Sequence, residues 1–399
     1  MINFKEIMEY DRLAREDAKK YSKHRFLYSD LQLHAGKHFT GIVGPRGVGK
    51  TVLLKQLANK YDNALYISLD IIKDDLFALA KKAKQDFQIK HLLLDEVHFN
   101  HNFDESLKKI YDFLDLNVIF TSSVALALFE SQYDLSRRVL LKKLYPFSFR
   151  EYLYFKYDVK LPELSFDDVL KKKVKREFFS YANSFYDYLQ GGIFPFSLDE
   201  PLALELLKNI RTKVIRKDIP QVTDIAVSEL ETIEKVLTFI GSADVDGINY
   251  SSISQNCGIT KYKAEQYVRL LEKAFILSQV FPKGTNVLKE PKIVMSVPYR
   301  LLYTDFKAAL GGLREDFFVE SMLSRDGDIY YLKSTRGKKT PDYLLTVNGK
   351  NIAVEIGGKG KGREQFKGFT PDEKIIAADT DIMVGIKRPL FLFGLLSEL

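Results

Sequence analysis

Between residues 38 and 145, short apolar runs recur at regular intervals: HFTGIV (38–43), ALYISL (64–69), HLLLD (91–95), NVIFTS (117–122) and VLLKKL (139–144). Each is apolar on both faces, as a buried parallel strand is, and helical patterns fill the gaps. After a polar N-terminal helix, this alternation predicts an α/β domain whose working loops lie at the carboxyl ends of the strands. From 146 to about 220 the chain turns helical and aromatic, with FSFREYLYFKY, KREFFSYANSFYDYLQ and a Gly191-Gly192 turn. Three helical stretches follow from 228, then FILSQVF (275–281) and KIVMSV (292–297), a helix-helix-helix-ribbon order that suits a winged helix. Beyond 313 a helix, LREDFFVESML, precedes IYYLK, PDYLLTV and NIAVEI. The last two are joined by Asn348-Gly349, a hairpin signal. The expected division is an α/β domain over 1–150, a helical lid or linker over 151–225, a winged helix over 226–300 and a small α/β domain over 301–399.

Composition narrows the class. The 399 residues are 46% apolar and 28% charged, the balance of an ordinary globular chain, so disorder, collagen and coiled coil are excluded. The single Cys257 rules out an internal disulfide and a thiolate metal cluster, and the six His show no metal-ligand spacing. Lys+Arg 60 against Asp+Glu 53 leaves +7, with the excess at the two ends of the chain, a balance that permits nucleic-acid contact without requiring it. The N-terminus mixes both charge signs and lacks an apolar core, and no apolar run reaches the ~18 residues of a membrane span. The expectation is a cytoplasmic protein without a membrane partner.

Directly after the first strand stands Gly44-Pro45-Arg46-Gly47-Val48-Gly49-Lys50-Thr51, followed by the helical VLLKQLANK. This is GxxxxGKT in a strand-loop-helix context. Glycines are needed because successive backbone N–H groups must turn inward around a phosphate, and the helix N-terminus adds partial positive charge. The motif assigns Lys50 to the β- and γ-phosphates and the Thr51 hydroxyl to Mg²⁺. Asp95 and Glu96 close the third strand, where the first carboxylate suits the magnesium shell and the second suits activation of water. Thr121-Ser122-Ser123 end the fourth strand. Ser122 is a candidate for aligning water beside the γ-phosphate, and helix capping is an equal account of Ser123. Arg138, in Ser136-Arg137-Arg138-Val139, is a candidate arginine finger acting in trans, weighed against a surface ion pair.

GPRGVGKT, LLLDEVH, FTSS, SRRV and YPFSFREYL together resemble the prokaryotic AAA+-type, archaeal-ATPase-like P-loop ATPases that carry a C-terminal domain of uncharacterised function. The resemblance continues through GGIFP (191–195), VIRKDIP (214–220) and PKIVMSVPYRLLYTD. It implies ATP binding and Mg²⁺-dependent hydrolysis carried by Lys50, Thr51, Asp95 and Glu96. SRRV departs from the more usual GRV. DEVH is similar to the DExH helicase box, yet no second recA-like domain follows.

In the winged-helix candidate, Ala264, Tyr267, Val268, Leu270 and Leu271 form one face of TKYKAEQYVRLLEKA, which leaves Lys261, Lys263, Gln266, Arg269 and Lys273 for solvent, a protein or double-stranded DNA. The last domain resembles the restriction-endonuclease-like fold with its PD…(D/E)xK signature. Glu320 lies on the leading helix, Asp342 opens one strand and Glu355 ends the next, while Gly357 stands where the signature has Lys. Lys359 is the candidate substitute, and a site more suited to binding than to cutting is expected. The fold class is thus α/β, a P-loop parallel sheet with a helical lid, then a winged helix and a restriction-endonuclease-like domain. Three functional readings stay open: an ATPase switch, a DNA-binding or defence protein with an ATP-controlled nuclease-like domain, and a nucleotide-sensing regulator without turnover. Candidate partners are ATP, double-stranded DNA, another protein and further copies of the chain.

Overall fold

The structure, a computed structural model, describes residues 3–31, 38–123, 135, 137–198, 200–243, 245, 247–284, 290–332 and 340–399. It divides into two compact units: residues 1–146 with 210–225, and residues 147–209 with 226–399. The helical stretch expected over 151–225 is therefore shared between them.

The first unit is built on five parallel strands, β1 (Phe39–Val43), β2 (Ala64–Ser68), β3 (His91–Asp95), β4 (Asn117–Ser122) and β5 (Val139–Lys143), in the order β2-β3-β4-β1-β5. Because strand side chains alternate, Leu65 and Ile67, Leu92 and Leu94, and Val118 and Phe120 share one face. There they join Leu79 and Ala83 of α3 (Leu76–Phe87) and Leu107 and Ile110 of α4 (Phe103–Phe113) in one core. α2 (Lys50–Lys60) and α1 (Phe4–Ala18) complete the layers. α1 is tied down by polar contacts: Asp11 accepts from the Tyr66 N–H at 2.8 Å, and Arg15 donates to the carbonyl of Ala64 at 2.5 Å. The strand order places β4 between β1 and β3, so the carboxyl ends that carry the phosphate loop, Ser122 and Asp95 are neighbours.

The second unit begins with the aromatic helices expected from 147 onward. Phe185 meets Phe317 edge to face at 4.8 Å, and Phe149 meets Phe391 at 6.4 Å, so these helices build their core with the C-terminal residues. Helices Val227–Ser242, Tyr250–Cys257 and Lys261–Lys273 are followed by the antiparallel ribbon β6 (Leu277–Val280) and β7 (Lys292–Met295), in the order the sequence predicts. Helix Phe306–Leu323 then leads into β8 (Asp328–Tyr331), β9 (Tyr343–Val347), β10 (Lys350–Gly357), β11 (Glu373–Ala378) and β12 (Lys387–Pro389). This sheet runs β12-β11-β10-β9-β8, antiparallel from β8 to β10 and parallel from β10 to β12. Asn348-Gly349 turns β9 into β10 with φ of 49° and 76°, the left-handed pair that a tight hairpin requires. Among the described residues no helix is long and apolar enough to cross a membrane.

Candidate functional site

The phosphate loop occupies the turn from β1 into α2. Gly47 and Gly49 adopt φ of 90° and 93°, a region that side chains resist. A Cβ on Gly44 would lie 2.1 Å from the Leu144 carbonyl oxygen, so only glycine lets the loop pass that close to the chain leaving β5. The Lys50 ammonium lies back over the loop, donating to the carbonyls of Gly44 at 2.8 Å and Pro45 at 3.0 Å. Arg25, which the sequence pattern does not single out, braces the far side by donating to the Tyr145 carbonyl at 2.8 Å and to the carbonyl of Val48 at 2.5 Å.

Asp95 and Glu96 face this loop in different states. Burial and the neighbouring Glu96 raise the Asp95 carboxyl above its ordinary value, against hydrogen bonds from Thr121, Thr51 and Tyr66. The Thr121 hydroxyl donates to it at 2.5 Å and the Tyr66 hydroxyl at 2.9 Å. Burial would raise Glu96 too, but Lys50, His98, the Ser123 hydrogen bond and Arg46 together hold it down at about 2. The Ser123 N–H donates to Glu96 at 2.9 Å, and the Ser123 hydroxyl donates to its other oxygen. Glu96 takes a left-handed backbone, φ 53°, with its own N–H on Thr121 Oγ1 at 3.0 Å. Strained backbone of this kind persists where surrounding contacts over-determine it. His98 stands 3.3 Å from Glu96, and burial holds its imidazole below the ordinary value against the pull of Glu96 and Asp218.

The Ser122 hydroxyl stands 3.2 Å from His98 Nδ1, and it is Ser123, one residue on, whose N–H donates to the Glu96 carboxylate. Arg138 precedes β5 at the amino end of the sheet, where its carbonyl accepts from the Phe39 N–H. The phosphate loop leaves the carboxyl end of β1, five residues or ~16 Å away. The Arg138 guanidinium is held on Asp112 at 2.9 Å and lies over the Tyr111 ring, so within one chain it does not reach the loop. Ser136 falls outside the described residues.

The residues present fit Mg²⁺ and a nucleoside triphosphate. Thr51 lies near enough to Asp95 to lower its carboxyl, as two ligands of one small cation must be close, and the glycine cradle opens at a helix N-terminus.

In the second unit, Asp342 and Glu355 converge as their strands predict. Asp342 accepts from the Ile356 N–H at 2.7 Å, and burial, Glu315 and Glu355 push its carboxyl up to about 7. The third acid is Glu315, not Glu320. Five residues along a helix turn the side chain about 140° away, and Glu320 accepts from the Val297 N–H at 2.9 Å. Glu315 pairs with Lys292 at 2.7 Å and accepts from the Tyr343 hydroxyl at 2.9 Å. Lys359 is exposed and offers its carbonyl to Lys387. The cation on Glu355 is Lys361, at 2.5 Å. A Cβ at Gly357 would strike the Lys361 stem at 2.3 Å, so the missing in-register side chain is the space through which Lys361 reaches.

On helix Lys261–Lys273, Ala264, Tyr267, Val268 and Leu271 are buried as expected, with Leu270 half-buried. Of the outward cations, Lys261 is paired with Glu290 at 2.5 Å, Lys263 with Glu229 at 2.9 Å and Arg269 with Glu265 at 2.6 Å.

Strand order, glycine loop and paired acids have the arrangement of a P-loop nucleotide-binding domain. Residues 36–153 match the family model described as AAA domain, and residues 182–297 match one described as Domain of unknown function (DUF8612). An uncharacterised protein of Methanocaldococcus jannaschii is 28% identical over 91% of this chain and 85% of its own. A second uncharacterised protein of that organism is 29% identical over 81% of this chain and 76% of its own. Among solved structures, the Aeropyrum pernix ORC1 protein in complex with DNA covers 78% of this chain and 93% of its own, at 13% identity and a TM-score of 0.28.

Proposed function

We propose that this protein binds ATP with Mg²⁺ and hydrolyses it, using the nucleotide state of its first unit as a switch for its second. One observation carries the reading: Lys50, Thr51, Asp95 and Glu96 gather at the carboxyl ends of β1 and β3, the two neighbours of β4, with Glu96 ionised and aimed by Ser123. Lys50, released from the carbonyls of Gly44 and Pro45, binds the β- and γ-phosphates as a point charge. Mg²⁺, held by Thr51 and Asp95, supplies charge neutralisation at the phosphates. Glu96 orients water and accepts its proton, and its low proton affinity keeps it in the basic form throughout the neutral range. Ser123 fixes the carboxylate, and His98 stands beside it.

The test is phosphate release from ATP by the purified chain with Mg²⁺, with and without double-stranded DNA. Turnover that DNA leaves unchanged supports the switch, and stimulation by DNA supports the DNA-linked alternative. Binding without turnover supports the regulator. The internal pairing of Lys261, Lys263 and Arg269 weighs against their helix as a phosphate-contact surface.

The nuclease-like reading of the second unit is favoured by one observation, the Lys361 ammonium on Glu355 beside Asp342. It restores a cation to carboxylates that the sequence leaves without one. The test is cleavage of supercoiled plasmid with Mg²⁺ and ATP. Cleavage lost on Asp342→Ala and Lys361→Ala but kept by Lys359→Ala supports it, and no cleavage supports a domain that only binds.

A further inference from the structure

Arg46 stands inside the phosphate loop, between Gly44 and Gly47, and is the residue next to the Pro45 carbonyl that Lys50 touches. Its side chain does not trail into solvent. Arg46 Nε donates to Asp218 Oδ2 at 2.9 Å and Nη2 donates to Oδ1 at 3.1 Å, a two-pronged pair on a carboxylate with no exposed surface. Asp218 closes a π-helical turn, Val214–Asp218, in the VIRKDIP segment, which returns to the first unit between two parts of the second. Such turns concentrate at functional sites. Neighbouring side chains fix the segment beside the site: Lys217 lies over the Phe99 ring at 5.6 Å, and Gln221 meets His101 at 3.4 Å.

This arrangement spends one edge of the guanidinium and spares another. Of its five N–H donors, Nε–H and one on Nη2 go to Asp218. The edge formed by Nη1 and Nη2 keeps its two-pronged geometry, the one that matches phosphate oxygens. Arg138, by contrast, stands at the other end of the sheet on Asp112.

We propose that Arg46 is a catalytic residue supplied in cis, with Asp218 as its positioning residue: Asp218 holds one edge of the guanidinium so that the other meets the γ-phosphoryl oxygens. The proposal rests on the ATP-hydrolysis reading above. In the step it serves, a water oxygen bonds to the γ-phosphorus as the bond to the β,γ-bridging oxygen breaks. The water proton passes to Glu96, and ADP leaves with the bridging oxygen. Arg46 gives up no proton; it stabilises charge that grows on the transferring group and the leaving oxygen. An external arginine finger does the same from a neighbouring molecule.

The experiment measures single-turnover hydrolysis, equilibrium ATP binding and thermal midpoint on the full chain. Arg46→Ala is expected to lower the hydrolysis rate about 10³-fold while ATP affinity changes less than about 10-fold. Because that variant leaves a buried carboxylate unpaired, Arg46→Ala/Asp218→Asn is measured beside it, and is expected to keep the wild-type midpoint yet hydrolyse as slowly. Asp218→Asn alone keeps the guanidinium but loosens it, with a fall in kcat of about 10-fold at nearly constant KM; Asp218→Glu recovers most of this. Mixed Arg46→Ala and Lys50→Ala protomers stay inactive, since both groups belong to one loop. Hydrolysis by Arg46→Ala/Asp218→Asn within about 3-fold of wild type, or recovery in the mixture, overturns the cis role. A folded wild-type chain that hydrolyses no ATP overturns the reading beneath it instead, and the two failures are distinct.

Discussion

Replacing Lys361 by Ala tests whether the cation of the C-terminal carboxylate cluster comes from outside the strand register. Glu355 is 1% exposed and pairs with the Lys361 ammonium at 2.5 Å, with Asp342 and Glu315 adding negative charge nearby. Breaking a fully buried pair by deleting one partner costs about 3–5 kcal/mol, because the other charge is left without compensation. The Lys361 side chain keeps 37% of its surface in solvent, so water can enter in its place, and we expect the lower figure of about 2 kcal/mol. In a unit of this size that is a midpoint lower by about 4–8 °C. Lys359→Ala is the internal control: its side chain is exposed, and its contact to Lys387 is made by the backbone. The assay is thermal and urea denaturation of both variants at pH 7 beside wild type. Equal effects, or a larger loss for Lys359→Ala, would refute the assignment.

Gly44→Ala should abolish tight binding of a fluorescent ATP analogue and lower the thermal midpoint, because the added Cβ meets the rigid Leu144 carbonyl at 2.1 Å; wild-type binding would show that the loop has room. Asp316→Ala should destabilise by about 3–5 kcal/mol in urea, since it strands the buried Arg300 now held by Asp316 at 2.7 and 3.1 Å. The double variant Arg300→Met/Asp316→Leu should recover most of that loss. Burial and Asp316 push the Glu320 carboxyl up to about 8, against the Val297 N–H, so the folded state binds its proton more tightly than the unfolded state does. Its contribution is complete below about pH 4.5 and is lost as pH rises through 8. Glu320→Gln should therefore flatten the fall in stability between pH 5.5 and 8.5 by about 3 kcal/mol, and an unchanged slope would contradict this.

The sheet of the first unit was legible because parallel buried strands are apolar on both faces: four runs return as buried β1 to β4 within a residue or two, while the fifth returns as β5, an exposed strand at the sheet edge. Lys50, Thr51, Asp95 and Glu96 were legible because their motif sits at fixed offsets from those strands. Asp218 and Arg25 carried no local signal, since each reaches the loop from a distant segment through a polar contact that neither periodicity nor spacing records. Glu315 and Lys361 were missed for a related reason. Sequence register names the face on which a side chain starts, whereas a long side chain crossing the space above a glycine ends elsewhere. β11, EKIIAA, was not anticipated, being short and flanked by charge. The pairing of residues 147–209 with the C-terminal residues was invisible because the aromatic helices that mediate it read as an autonomous helical stretch.

The central claim, that the first unit hydrolyses ATP with Glu96 as the base, is tested most directly by Glu96→Gln. The variant keeps Lys50, Thr51 and Asp95 and replaces only the carboxylate that Ser123 aims. Bound ATP and released phosphate are measured together in a single-turnover experiment with Mg²⁺. The account predicts wild-type binding with release slowed about 10²–10⁴-fold; phosphate released at the wild-type rate would contradict it.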